Sequence, residues 1–207
     1  AIMNEKERME KGLLYNPFKV NDNQWYKIRP LCKKFNESYF WKDRSALDKL
    51  LACFGKAHED SILTAPFYCD KGYNIYLGKR FYANTNLTIL DEGKVSFGDN
   101  IFIGPNVSIY TVGHPINKDI RNTNVECAKA INIGSDVWIG GNVVINPGAN
   151  IGDDVVIGSG SVVTKDIPSH SLACGNPCKV IRKIDEEDKI YWQNLYEDYC
   201  EDINKNE

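Results

Sequence analysis

The stretch IGSDVWIGGNVVINPGANIGDDVVIGSGSVV, residues 133–163, carries a branched apolar residue at every sixth position. These residues are Ile133, Ile139, Ile145, Ile151, Ile157 and Val163, and four of the first five precede a glycine. A second slot, four residues after each, is mostly small or branched and apolar: Val137, Val143, Ala149, Val155, Ser161 and Ile167. A period of six fits neither an α-helix nor a hairpin. It predicts a coil of short parallel strands, with one hexapeptide on each flat side.

The same period extends upstream. Leu77, Ala83 and Ile89 are six apart, and Phe97, Ile103 and Ile109 resume the spacing after a step of eight near Gly93-Lys94. Ile109 and Ile133 are separated by a multiple of six, but residues 111–130 between them are polar and aperiodic. We predict a loop that leaves the coil there and returns in register. Loops of this length are uncommon in compact domains and are often functional.

Three hexads, about eighteen residues, would close one triangular turn of such a coil, with stacked strands about 4.8 Å apart. The glycines and Asn or Asp residues after the strands are suited to corners with positive φ. The residues themselves do not give the hand of the coil.

Length and composition are those of an ordinary soluble protein. The chain has 207 residues, 43% hydrophobic residues and a net charge of −3, which gives no reason to expect a nucleic-acid partner. It shows no apolar run of membrane-spanning length and no signal peptide, so we expect no membrane association. Seven cysteines, an odd number without CxxC spacing, indicate reduced thiols and a cytoplasmic location.

The two ends differ in character from the coil, and we predict three parts: a helical module over residues 1–60, the coil over residues 61–183, and a helical tail over residues 184–207. Asn4 is expected to cap a helix that runs to Leu14. A second helix would place Trp25, Ile28, Cys32 and Phe35 on one face, although Pro30 would strain or end it. A third would carry the stripe Leu47, Leu50, Leu51 and Phe54, with Gly55 as its C′ residue. We interpret the module as a cap on the open end of the coil, either purely structural or closing over a substrate.

The tail begins with acidic residues 185–188, which suit the first turn of a helix. Apolar and aromatic residues follow: Ile190, Tyr191, Trp192, Leu195, Tyr196 and Tyr199. We expect this helix to dock on the body of the protein or on a neighbouring subunit.

Among the three histidines, His114 is the candidate for chemistry, because it lies where the coil breaks into the loop and imidazole is the usual general base. His58 and His170 are expected to be solvated or structural. A zinc site of three histidines, as in gamma-class carbonic anhydrases, cannot be built from one histidine in the coil region. No GxSxG motif is present for a serine hydrolase.

Several longer motifs follow one another along nearly the whole chain: EKGLLYN (10–16), YAN (82–84), LD (90–91), the His114-Pro115 loop, VWIGG (137–141), VINPG (144–148), VTKDIP (163–168) and GNP (175–177). Together they resemble the maltose and galactoside O-acetyltransferases, which are hexapeptide-repeat acyltransferases with an N-terminal helical module. The resemblance implies a left-handed parallel β-helix, a homotrimer, and acetyl-CoA sites in the clefts between subunits, with no metal required.

The resemblance also assigns roles at the reaction centre. His114 matches the catalytic base, Glu126 matches a glutamate near it, and Asn84 matches an asparagine beside the reacting groups. For Glu126 the alternative is a solvated loop charge. Asp70 and Glu92 match acceptor-binding positions, as do Asn84 and Glu126. The family's N-terminal aspartate has no carboxylate counterpart in residues 15–18, so the acceptor itself stays open.

For acetyl-CoA, the resemblance implies contacts from Trp138, Gly141, Ser159, Thr164, Lys165, Lys179 and Arg182. Without it, Trp138 would be read as outward packing between subunits, and Lys179 and Arg182 as solvated charges. Lys179 replaces an arginine of the family, which keeps the charge but loses the bidentate geometry.

The function we predict is therefore acetyl transfer from acetyl-CoA to a hydroxyl of a sugar of the maltose, glucose or galactoside type. The alternatives are an acetyltransferase for an antibiotic or a chitooligosaccharide. A non-catalytic scaffold is a further alternative, and it would need neither His114 nor the Trp138 face.

Overall fold

The computed structural model describes residues 2–205, in which a coil of short strands is flanked by helices at both ends. The helices are α1 (Glu5–Glu10), α2 (Gln24–Asn36), α3 (Ser45–Leu51), α4 (Lys118–Arg121) and α5 (Glu186–Asn204), with a short 3₁₀ turn at Pro17–Lys19. Within this part of the chain, none of the helices has the length and apolar character needed to cross a bilayer.

The strands are two to five residues long. They are β1 (Ile62–Leu63), β2 (Phe67–Cys69), β3 (Ile75–Tyr76), β4 (Phe81–Ala83), β5 (Leu87–Leu90), β6 (Val95–Phe97), β7 (Ile101–Ile103), β8 (Ser108–Tyr110), β9 (Val112–Gly113), β10 (Cys127–Ala128), β11 (Ile131–Ile133), β12 (Val137–Ile139), β13 (Val144–Ile145), β14 (Asn150–Ile151), β15 (Val155–Ile157), β16 (Val162–Val163), β17 (Ser171–Cys174) and β18 (Lys179–Lys183).

Three sheets form the sides of the coil, in the orders β1-β4-β7-β12-β15-β17-β18, β3-β6-β11-β14 and β2-β5-β8-β13-β16. Their pairings are parallel, except that β18 returns antiparallel along β17. Val137 pairs with Val155, eighteen residues further on, so one turn holds three hexads as predicted. The predicted fold class, a left-handed parallel β-helix with an N-terminal helical cap and a C-terminal helix, is confirmed.

The two apolar slots of each hexad are buried along the whole coil. Residues of the first slot from Ile133 to Val163 are at most 3% exposed, and the second slot from Val137 to Ile167 is at most 4% exposed. Burial of branched side chains in two continuous columns gives these very short strands their stability, since a two-residue strand has little of its own.

The glycines and the Asn or Asp residues at the corners have different roles, whereas the prediction gave both the same one. The positive φ angles belong mainly to Asn and Asp, for example Asp136 (61°) and Asn142 (57°). The glycines that follow the isoleucines are instead required by close packing between turns: a Cβ on Gly140 would lie 2.6 Å from the Ser159 nitrogen. A side chain there would push successive turns apart.

The N-terminal helices differ from the prediction in four places. Helix α1 is capped by Asn4 as expected but ends at Glu10, and Gly12 then adopts a φ of 68°. Helix α2 continues through Pro30, whose ring lies on its exposed side, because Ile28 and Phe35 anchor the helix in the core on both sides of it. Trp25 is half exposed, so its placement on the buried face was wrong.

Gly55 is not the C′ residue of α3, which ends earlier, at Leu51 with Ala52 as its cap. The backbone there passes so close to Tyr73 and the Tyr76 ring that no side chain fits at position 55. The apolar stripe itself is confirmed, because Leu47, Leu50, Leu51 and Phe54 are all buried.

Helix α5 begins at the predicted acidic turn, with Asp185 as its N-cap. Its apolar and aromatic side chains are largely exposed, and Trp192 lines a cavity with Asp154 and Ile184. Docking of this helix on the body or on a neighbouring subunit stays a prediction. The boundaries at residues 60 and 183 stay predictions.

Candidate active site

The segment between Ile109 and Ile133 is more ordered than the predicted aperiodic loop. Strands β9 and β10 form an antiparallel pair at its base, with Val112 opposite Ala128, and α4 forms a helical turn near its tip. The return in register is confirmed, because Ile133 pairs with Phe97 on one side and with Ile151 on the other.

Thr111 fixes the point where the loop leaves the coil. This residue is fully buried, and its hydroxyl donates to the Leu90 carbonyl (2.6 Å) and accepts from the Gly93 amide (2.9 Å). Its own carbonyl accepts from the Lys129 amide (2.8 Å), where the chain comes back. Both ends of the loop are therefore tied to one buried residue, and the position of His114 relative to the coil is set from there.

His114 and Glu126 are brought together across the base of the loop. The His114 Nε2 lies 3.9 Å from the Glu126 Oε2, and their side chains are 56% and 11% exposed. They line one cavity of about 300 Å³, together with Pro17, Phe18, Arg121 and Asn124. Reading Glu126 as a solvated loop charge was wrong, because the residue is buried. A carboxylate at this distance stabilises an imidazolium by charge, with the imidazole open to a ligand.

Tyr15 is a contact of Glu126 that sequence reasoning missed. The Tyr15 hydroxyl donates to the Glu126 Oε1 (2.5 Å), and each backbone amide donates to the other residue's carbonyl (3.0 and 2.9 Å). Burial, and then the hydrogen bond to Glu126, raises the pKa of Tyr15 far above its usual value, so the phenol stays protonated. Position 15 was part of a family-like motif, but nothing in the sequence pairs it with a residue 111 positions away.

Asp70 and Glu92 form the acidic part of the predicted acceptor site. Asp70 accepts from the Arg29 guanidinium (2.8 Å), and the Glu92 carboxyl lies within hydrogen-bonding reach of Asp70. Burial, and then Asp70, raises the pKa of Glu92 well above its usual value of 4.5. One member of the pair therefore donates a hydrogen bond and the other accepts, which suits a polyhydroxylated ligand.

Asp91 organises the chain beneath this pair and was not among the predicted site residues. It is fully buried, and its Oδ1 accepts from the amides of Asp70 (3.0 Å) and Lys71 (2.8 Å). Burial raises the pKa of Asp91 to about 6 against the opposing effect of these amides. The signal for this residue was its place in the LD motif at residues 90–91.

Asn84 follows β4, and its side-chain oxygen accepts from the Thr85 amide (2.7 Å). That bond leaves the side-chain NH₂ free to donate to a ligand oxygen. Pro17 and Phe18 line the cavity of His114 and Glu126, and Phe18 is 81% exposed.

The residues predicted to contact acetyl-CoA lie on the coil and its C-terminal edge. Trp138 in β12 is 57% exposed on the seven-stranded face. Gly141 and Ser159 occupy corners one turn apart. The two corners are joined by a hydrogen bond from the Gly160 amide to the Gly141 carbonyl (2.9 Å). None of the predicted acetyl-CoA residues lines the cavity that holds His114 and Glu126.

Four further predicted contacts are exposed. Thr164 and Lys165 follow β16 at a corner, and Lys179 and Arg182 lie on β18 beside β17. Arg182 forms a two-point ion pair with Asp188 in the first turn of α5, at 2.7 Å for both contacts. Its guanidinium lowers the pKa of Asp188 to about 2.

The chain is similar to a family model, to curated relatives and to solved structures. The family model "Bacterial transferase hexapeptide (six repeats)" matches residues 130–165. The galactoside O-acetyltransferase of Escherichia coli K12 is 44% identical over 174 residues, 83% of each chain.

Solved structures agree with these matches. A maltose O-acetyltransferase from Clostridium difficile 630 superposes with a TM-score of 0.86 at 42% identity, covering 89% of this chain and all of that one. A galactoside acetyltransferase in complex with coenzyme A superposes with a TM-score of 0.84 at 40% identity, covering 91% and 94% of the two chains. The predicted resemblance is confirmed.

Proposed function

Because the chain belongs to the maltose and galactoside O-acetyltransferase family of hexapeptide-repeat acyltransferases, we propose that it transfers the acetyl group of acetyl-CoA to a sugar hydroxyl, with His114 as the general base. The observation that carries the proposal is the pairing of the exposed His114 imidazole with the buried Glu126 carboxylate in one cavity.

The proposed reaction is a direct transfer. The His114 imidazole takes the proton of the sugar hydroxyl as that oxygen attacks the thioester carbonyl. The tetrahedral species then collapses, the carbon–sulfur bond breaks, and the departing coenzyme A sulfur receives the proton from the imidazolium. A general base contributes roughly 10² to 10⁴ in rate, so positioning of both substrates and stabilisation of the oxyanion supply the rest.

Glu126 supports the step in which His114 carries a positive charge. Its carboxylate is buried, and a charge in such a site acts with less screening than one in water. Asn84 is the neutral group we assign to the reacting hydroxyl or to the thioester oxygen, because an amide both donates and accepts.

Asp70 and Glu92 are the groups we assign to the other sugar hydroxyls. Asp70, held by Arg29, and Glu92, which shares its proton with Asp70, place carboxyl oxygens side by side as acceptors for neighbouring hydroxyls. This arrangement fits a vicinal diol, and it favours maltose-, glucose- or galactoside-type acceptors over an apolar antibiotic.

We propose that acetyl-CoA lies along the Trp138 face, with Gly141 and Ser159 at the pantetheine arm, Thr164 and Lys165 beyond them, and Lys179 and Arg182 near the phosphates. In one chain these residues do not share a cavity with His114, which supports a cleft between two subunits. We propose a homotrimer because the family resemblance implies one. The seven free thiols fit a reducing compartment, so we place the enzyme in the cytoplasm.

The test is a thiol-release assay with acetyl-CoA and a panel of mono- and disaccharides, comparing wild type with His114→Ala. We expect the variant to lose at least about 10² in rate, since that is the minimum for a general base. His58→Ala is the matched control and should retain full activity.

Retention of more than about a tenth of the rate by His114→Ala would contradict the base assignment. Thiol release with chloramphenicol or a streptogramin, and with no sugar, would show that the acceptor class is wrong. Thiol release with neither class of acceptor would favour the scaffold.

A further inference from the structure

The N-terminal segment reaches the loop as well as the coil. Met9 and Tyr15 are buried with Ala128 of β10 in a small cluster separate from the main core. Gly12, with its φ of 68°, lets the chain turn back so that Tyr15 pairs with Glu126. Whereas α2 and α3 pack on the main core, this segment packs on β10 and pairs with Glu126, the residue directly before that strand.

The Tyr15 hydroxyl occupies one oxygen of Glu126 and leaves the other for His114. The hydroxyl donates to Oε1 at 2.5 Å, and Oε2 is the atom that lies 3.9 Å from the His114 Nε2. A carboxylate with one oxygen fixed in this way can rotate only by breaking a short charge-assisted hydrogen bond.

We propose that Tyr15 is a positioning residue: its phenol holds Glu126 so that the free carboxylate oxygen faces the imidazole of His114. The inference rests on the proposed function. Tyr15 touches neither reacting atom, and it acts through Glu126 on the charge that forms at His114 during proton transfer. Residues 15 and 126 lie directly opposite each other in an isolated antiparallel bridge, which places their side chains on the same side.

Tyr15→Phe separates the hydroxyl from the packing of the ring. We expect kcat to fall about tenfold, because a hydrogen bond to a charged group is among the stronger ones, while KM for acetyl-CoA stays unchanged. Tyr73→Phe is the matched control. It also removes a hydroxyl that donates to a carboxylate, that of Asp22 (2.9 Å), but neither residue lines the cavity of His114, so kcat should stay within twofold.

A double-mutant cycle distinguishes positioning from a general structural role. In the Glu126→Ala background there is no carboxylate to hold, so Tyr15→Phe should change kcat by less than twofold. An equal loss in both backgrounds would overturn the inference, because Tyr15 would then act independently of Glu126. Activities are normalised to folded protein by near-ultraviolet circular dichroism, so that a loss of stability is not read as a loss of turnover.

The two proposals fail in different ways. If His114→Ala abolishes turnover but Tyr15→Phe leaves kcat within twofold, the role of Tyr15 is refuted and the proposed function stands. If His114→Ala retains its rate, the proposed base is wrong and the role of Tyr15 falls with it.

Discussion

The coil at residues 133–163 and the loop at residues 111–130 hold their structure by opposite means. The coil repeats one apolar contact at constant spacing, and each repeat is buried by its neighbours above and below. The loop has no repeat, and single polar contacts such as those of Thr111 and Tyr15 fix it.

This difference separates stability from chemistry. A buried apolar column tolerates no ligand and offers no proton, so it can only support other groups. The loop presents His114 to solvent beside a base that strands β9 and β10 hold in place. We therefore expect substitutions in the coil to change the free energy of unfolding and substitutions in the loop to change turnover.

The largest effect should come from truncating a coil residue. Ile139→Ala removes a fully buried side chain from a continuous column, and it should lower the free energy of unfolding by about 2–5 kcal/mol through lost burial and a cavity. Urea unfolding followed by far-ultraviolet circular dichroism measures the change. Ile120→Ala, in the loop and 47% exposed in wild type, is the control and should stay within about 0.5 kcal/mol. Equal losses would remove the distinction between the two regions.

The second prediction concerns Glu92, which lies on the coil next to the base of the loop, and the dependence of the free energy of unfolding on pH. Burial raises the folded-state pKa of Glu92 above 4.5, so folding binds a proton that the unfolded chain releases. The stability that this proton uptake provides is fully present below pH 4.5, and it is lost as the pH rises through the folded-state pKa of Glu92. Glu92→Gln stays neutral, so its free energy of unfolding relative to wild type should rise with pH, by at most about 1.4 kcal/mol per unit.

Thermal or urea unfolding at several pH values between 5 and 8 checks this slope. Glu201→Gln, at an exposed position of α5, is the control and should run parallel to wild type. If the free energy of unfolding of Glu92→Gln changed with pH in parallel with that of wild type, Glu92 would ionise in the folded protein as it does in water.

The smallest expected effect is on KM, at the Arg182–Asp188 ion pair between β18 and α5. As in the loop, a single polar contact holds the structure there. In the proposed complex Arg182 contacts a phosphate of acetyl-CoA and must first release Asp188. Asp188→Asn should therefore lower KM for acetyl-CoA by about twofold and leave kcat unchanged, since exposed ion pairs are weak. Steady-state kinetics with varied acetyl-CoA measures it, and Asp198→Asn on the same helix is the control. An increase in KM would mean that Arg182 only holds the first turn of α5 and does not contact acetyl-CoA.

The coil could be predicted in detail because its contacts repeat at a spacing that the sequence displays. Ile133 and Ile151 are recognisable as partners from their separation of three hexads, and the two residues are indeed paired between neighbouring turns. Pro30 within α2 and Gly55 after α3 were misread, since local propensity was overruled in the first case by core packing and in the second by the nearby Tyr73 and Tyr76.

The site was predictable only in part. His114 was singled out by its position where the coil breaks into the loop, Glu126 was found through resemblance, and the structure brings them within 3.9 Å. Tyr15 could not be found in this way, because a contact between one N-terminal residue and one loop residue leaves no periodic trace. Asp91 was visible as a motif, but its burial and its two amide donors depend on how successive turns stack.

The pairing of Tyr15 with a residue 111 positions later has a consequence for synthesis. At about 5–20 residues per second, the ribosome finishes the N-terminal segment roughly 6–20 s before it delivers Glu126. During that interval the phenol has no carboxylate to meet, and the early turns of the coil can already be stacking. The proposed catalytic centre therefore cannot form until the ribosome has added the 111 residues that lead from Tyr15 to Glu126, and it forms when the earlier segment folds back onto the later one.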